Sequence, residues 1–216
     1  MKNKRKIRIS FLKATETSDE MINSQGFLDT ARKRPQDFTR NRKLPFAHLI
    51  MFMLRMIKST IQSCLDVYFE KIGKLEFHMK QQSFSEARLK IRWEAFRDLF
   101  KAIVNLIYTG YYDTWHGYRL SAIDGTKVQI PDDQALRDHF GTMGKDNSAA
   151  TAQGSALYDV LNKVTLDAQL EPLATDERTL ALRHLYARCD ISMHCESFLL
   201  LARSALYTTG ATLLLK

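Results

Sequence analysis

Three sets of side chains in this sequence have types and spacings that can do chemistry. The first is a single carboxylate, Asp124, inside Y-R-L-S-A-I-D-G-T-K-V-Q-I-P from Tyr118 to Pro131. Leu120, Ala122 and Ile123 lead into it, and Gly125 follows at once. Thr126, Val128 and Ile130 then alternate with Lys127 and Gln129, the period-two pattern of a half-buried strand, and Pro131 stops it. The pattern predicts a β-hairpin with Asp124 at its tip or strand end; Asp-Gly by itself is a tight-turn dipeptide. The second set is cationic. Arg40, Arg42 and Lys43 fall just before Pro45, a good first residue of a helix, and Arg88, Lys90, Arg92 and Arg97 lie on the polar faces of later helices. Such cations can contact phosphates, or simply be the wet side of a helix. The third set is Cys189, His194 and Cys195, which lack a Cys-x-x-Cys pair and a second ligand pair at zinc-finger spacing, so no metal site is expected there.

The elements that must position these groups are legible in the apolar spacing. Phe46, Leu49, Ile50, Met53, Leu54 and Ile57 recur at three and four, predicting an amphipathic helix, with Met51-Phe52-Met53 as core filler. Ser59-Thr60 interrupts it, and Ile61, Leu65, Tyr68, Phe69 and Ile72 form the inward stripe of the next helix. Ser83 and Glu86 have capping-box spacing, and Trp93, Phe96, Phe100, Ile103, Val104 and Ile107 make a further stripe ending near Gly110. Upstream, only Met21 to Leu28 predicts a short helix. From Tyr111 the pattern turns strand-like. Gln134 to Phe140 predicts one helical turn, Ala152 to Leu161 and Val164 to Leu170 a strand pair about Asn162-Lys163, and Asp176-Glu177-Arg178 the start of a helix with Leu180, Leu182 and Leu185 inward.

Composition narrows the class. The chain has 216 residues, 45% of them hydrophobic and 26% charged, as globular proteins do. Its formal charge of +8 is concentrated at the start: residues 1 to 43 hold twelve Lys/Arg against five Asp/Glu. A basic arm of this kind suits a polyanion, nucleic acid above all. Three scattered cysteines argue against a disulfide scaffold and for a reducing, cytoplasmic setting. No apolar region follows the N-terminal cations as in a signal peptide, and Leu199 to Leu215 is interrupted by Arg203, Ser204 and Thr-Thr-Gly, so no membrane partner is expected.

Several separated pieces also occur in a telling order: F-T-R-N-R-K-L-P-F at Phe38, S-F-S-E-A-R-L-K-I at Ser83, Y-R-L-S-A-I-D-G-T-K at Tyr118, L-R-D-H-F-G at Leu136, L-Y-D-V-L-N-K-V-T-L-D-A-Q-L-E-P at Leu157 and T-D-E-R-T-L-A-L-R-H-L at Thr175. On these the chain resembles the DDE transposases of bacterial insertion sequences, of the IS-four group, from Phe38 to Ala187. The resemblance implies an α+β fold: an N-terminal helical domain followed by a partial RNase H-like α/β domain. It divides the chain into a basic, partly disordered leader (1–37), a helical DNA-contacting domain (38–112) and a truncated catalytic domain (113–216).

In that family two aspartates and a glutamate hold a pair of divalent ions, usually Mg²⁺, a hard cation that prefers oxygen ligands. The ions activate the attacking oxygen and stabilise the leaving one during DNA cleavage and strand transfer. Asp124 matches the first aspartate, making it the implied metal ligand. Asp159, Asp167 and Asp176 lie in matching segments and read as structural or capping carboxylates. The family's second aspartate stands in an Asp-Arg-Gly-Tyr signature, where this chain reads R-C-D-I-S-M-H-C-E-S-F from Arg188; Asp190 is the nearest candidate. The third ligand is expected further along than Lys216. The expectation is a transposase by descent whose catalytic set is incomplete, with DNA terminal repeats as partner through Arg40, Arg42, Lys43, Arg88 and Lys90. The alternative is a non-catalytic remnant that holds element ends, or pairs with itself or with a full-length transposase and inhibits it, in a bacterial cytoplasm.

Overall fold

A computed structural model describes residues 2–40, 44–55, 59–73, 79–145, 149–189 and 213–215. The fold is α+β, with eight helices and an antiparallel sheet among the described residues. The chain divides into two compact units, one of Arg8–Gly110 and one of Tyr111–Lys216 together with Met1–Ile7.

The first unit is helical. Over residues 1–37, expected as a basic, partly disordered leader, run α1 (Lys2–Asn23), of which the part from Arg8 belongs to this unit, and α2 (Gln25–Ala31). Ile22 and Phe27, from the stretch predicted as a short helix, and Ala31 enter the same core as Leu49 and Leu65. Ser24 caps α2, its hydroxyl accepting the Phe27 N–H at 3.2 Å. Phe38 has φ 61°, a costly conformation for a bulky residue, and its ring lies edge-on against Phe46 at 5.3 Å. That packing holds the entry to α3 (Phe46–Met53).

α3 buries Phe46, Leu49, Ile50 and Phe52, whereas the predicted Leu54 is exposed. The helix stops at Leu54, so the stripe rotates away from the one expected for a longer helix. α4 (Ile61–Lys71) is capped by Thr60, which accepts the Ser63 N–H, and buries Leu65, Tyr68 and Phe69. In α5 (Gln81–Arg88) the predicted capping box does not form: Ser83 lies inside the helix, which starts from Lys80. α6 (Glu94–Thr109) ends at Gly110 as predicted, but of the expected stripe only Val104 and Ile107 are buried; Ala95 and Leu99 fill the core instead, and Phe96, Phe100 and Ile103 are half-buried. Trp93, expected inward, precedes that helix and is 67% exposed.

The second unit is a sheet with a helix upon it. Strand β1 (Arg119–Gln129) pairs antiparallel with β3 (Ala149–Asp159), and β3 pairs antiparallel with β4 (Val164–Pro172). The short strand β2 (Thr142–Met143) extends the β4 side of β3, and β5 (Leu213–Leu215) pairs with the start of β1. The β3–β4 hairpin turns at Asn162-Lys163 as predicted, with Lys163 at φ 57°. Between β1 and β2 lies α7 (Gln134–Phe140), capped by Asp133, whose carboxylate accepts the Ala135 N–H. After β4 comes α8 (Glu177–Cys189), with Asp176 accepting the Thr179 N–H at its start.

Candidate functional site

Asp124 sits in the middle of β1, opposite Ala156, rather than at a hairpin tip. The Asp-Gly turn expected there does not form, because β1 takes its partner from β3 beyond α7 and its ladder runs straight through Gly125, opposite Ser155. The glycine has another purpose. A Cβ at Gly125 would meet the Glu177 carboxylate at 3.1 Å and the Gln153 amide at 3.2 Å, so its missing side chain lets the start of α8 approach the sheet. Strand side chains alternate between faces, and Asp124 therefore points to the face opposite α8. There it is exposed, with Oδ1 accepting the Gly125 N–H at 2.9 Å. Ladder partners put Tyr158, Leu170 and Val128 on that same face.

The face under α8 is polar and tightly bonded. His184 is wholly buried, with Nδ1 2.7 Å from Asp167 Oδ2 and Nε2 3.0 Å from Ser155 Oγ. Gln169 adds a contact at 3.1 Å. Burial draws the Asp167 carboxyl pKa upward, but hydrogen bonds from His184, Gln169 and the Ala168 backbone, with the His184 charge, outweigh it and leave it below the ordinary value. Ser, His and Asp in this order are the parts of a nucleophilic relay. Here the arrangement acts as a latch instead: with His184 fully buried and Ser155 only 7% exposed, no substrate carbonyl can reach the hydroxyl. Nothing in the spacing of 155, 167 and 184 announces this cluster, since three separate elements supply it.

Asp159 is also buried. It accepts the backbone N–H groups of Leu161 and Asn162 and the Asn162 amide, while Asn162 in turn holds Asp113 through its backbone. Asp159, Asp167 and Asp176 each therefore have local structural partners. Of the predicted site residues, Arg40 is exposed, Arg88 is exposed in the last turn of α5, and Lys90 is half-buried two residues beyond. Arg42, Lys43 and Asp190 lie outside the described residues. Among the described residues no group of three His, Cys, Asp or Glu side chains is placed to hold a metal ion. No described helix is long and apolar enough to cross a membrane.

Over 73 residues the chain is 32% identical to a curated protein of Escherichia coli (strain K12) named "Putative transposase InsZ". The match takes in 32% of this chain and 24% of that relative, about a quarter of its length. The chain is thus similar to a transposase over part of its length. No family model matches it, and no solved structure matches it.

Proposed function

We propose that this chain is a transposase-type protein that binds DNA, derived from enzymes that cut and rejoin DNA at element ends. The observation that carries the reading is the 73-residue similarity to a transposase. It is supported by the order of sequence pieces from Phe38 to Ala187 and by the cationic surplus of the helical unit. There, residues 8–110 hold eighteen Lys/Arg against eleven Asp/Glu. In the finer reading the sheet unit is RNase H-like, and Asp124 is the first of three carboxylates that would hold Mg²⁺.

For this chain by itself we propose DNA binding without cleavage, as a holder of terminal repeats or a partner of a full-length transposase. The test is an assay of supercoiled and terminal-repeat DNA in the presence of Mg²⁺. Binding that falls with salt and is unchanged by Asp124→Ala, with no nicking, is the expected outcome. Mg²⁺-dependent nicking that Asp124→Ala abolishes would instead make the chain an active nuclease. Absence of DNA binding at low salt would remove the proposal altogether.

A further inference from the structure

In the helical unit, two distant stretches meet as a short ribbon. The Arg92 N–H donates to the Ala31 carbonyl at 2.8 Å and the Lys33 N–H to the Lys90 carbonyl at 2.9 Å, with Arg32 and Ile91 directly opposed. Ile91 points into the core, where it is 5% exposed. Lys33, Arg34, Arg92 and Trp93 are exposed around the ribbon, and two adjoining recesses open there. One is lined by Lys33, Ile91, Arg92, Trp93 and Glu94, the other by Lys33, Arg34, Asp37, Glu86, Leu89 and Lys90.

The charges around these recesses are unequal in kind. Arg92 lies 3.9 Å from Glu94, and Arg97 bonds Asp98 at 2.9 Å. Asp37 accepts the Arg34 backbone N–H, and Glu86 accepts the Gln82 amide. Lys33, Arg34, Arg88 and Lys90 form no ion pair among the described residues. Lys33 and Lys90 lie on the ribbon, Arg34 and Arg88 adjoin it, and together these four cations outnumber Asp37 and Glu86 beside them, which offers a cationic track to regularly spaced anions.

Beside that track stands Trp93, 67% exposed, with the Arg97 guanidinium 5.3 Å from its ring centroid. Arg97 covers one part of the ring and steadies it, and the recess floored by Ile91 opens beside it. A cationic track with a fixed aromatic ring alongside is the combination that binds unpaired bases, since phosphates follow the charges and a base stacks on the ring.

We propose that this ribbon is a binding site for single-stranded nucleic acid, with phosphates along Lys33, Arg34, Arg88 and Lys90 and an unpaired base stacked on Trp93. This deepens the DNA-binding reading and rests on it. It adds a preference for unpaired strands, which plain basic helices would lack.

The experiment is fluorescence anisotropy of the full chain with a labelled 12-nucleotide oligo-dT and with a duplex of the same length, about one single-strand site in size. The wild type, Trp93→Ala and Trp93→Phe are compared, with polyglutamate as competitor. The expected result is tighter binding of the single strand, a loss of about tenfold in Trp93→Ala, and recovery of most of that loss in Trp93→Phe, while duplex affinity stays within about twofold. Because Trp93 is exposed, these variants keep the fold, which circular dichroism checks. Equal losses on both DNAs, no loss on either, or displacement by polyglutamate as effective as by unlabelled oligo-dT would each overturn the single-strand site while leaving DNA binding standing. No binding of either DNA would overturn the DNA-binding reading as well.

Discussion

His184 shows how a side chain far from any proposed chemistry can govern the candidate site. It ties α8 to two strands through Ser155 and Asp167, and α8 is the helix for which Gly125, next to Asp124, makes room. Removing the imidazole strands a buried hydroxyl and a half-buried carboxylate, so His184→Ala is expected to cost about 1 to 3 kcal/mol in denaturant melts. Asp167 adds a pH signature. Its folded pKa lies below the ordinary 3.8, so on acidification the unfolded chain takes up this proton first. Its contribution is present above that value and is lost as pH falls through the lower, folded pKa. In Asp167→Asn, stability is expected to fall less steeply in that acidic window than in the wild type; an unchanged slope in acid titrations of unfolding would refute the role.

At the scale of elements, helix α3 illustrates how termination decides which residues pack. Of the Met51-Phe52-Met53 cluster read as core filler, Phe52 is buried and Met53 packs against the core while Met51 is exposed, and the helix ends before Leu54 can turn inward. The Phe52 ring meets Tyr68 at 5.5 Å and Phe84 at 5.0 Å, both edge-on, and so joins α3, α4 and α5. Phe52→Ala is expected to destabilise the unit by about 3 to 5 kcal/mol, against about 0.5 or less for the exposed neighbour in Met51→Ala. Thermal unfolding of the two variants side by side checks the assignment, and equal shifts would place the core elsewhere.

Across the whole molecule the charge is carried by one unit. Residues 8–110 account for seven of the eight net positive charges, and the remainder of the chain is close to neutral. Polyanion binding is therefore expected to respond to substitutions in the helical unit. Replacing both Arg88 and Lys90 by alanine should reduce the slope of log affinity against log salt by about two, whereas replacing Lys145 and Lys163 in the sheet unit should leave it unaltered. Matching slopes for the two double variants would contradict this division of labour. The sequence places the surplus in residues 1–43, whereas the compact helical unit takes in residues 8–110; which cations share one surface depends on the folded contacts.

Much of the framework is determined by the sequence alone. The end of α6 at Gly110, the single α7 segment from Gln134 to Phe140, the turn at Asn162-Lys163 and the start of α8 after Asp176 all follow from local spacing and capping chemistry. These are short-range effects, complete within a few residues. What tertiary structure alone decided is the partner of each segment: that β1 continues through Asp124 to pair with β3, that Ser155, Asp167 and His184 close into one latch, and that Lys33 lies beside Lys90 with Trp93 left in water. Each depends on a contact between residues distant in the chain, and pairing of that kind is selected by the packing of whole elements, which no local pattern encodes.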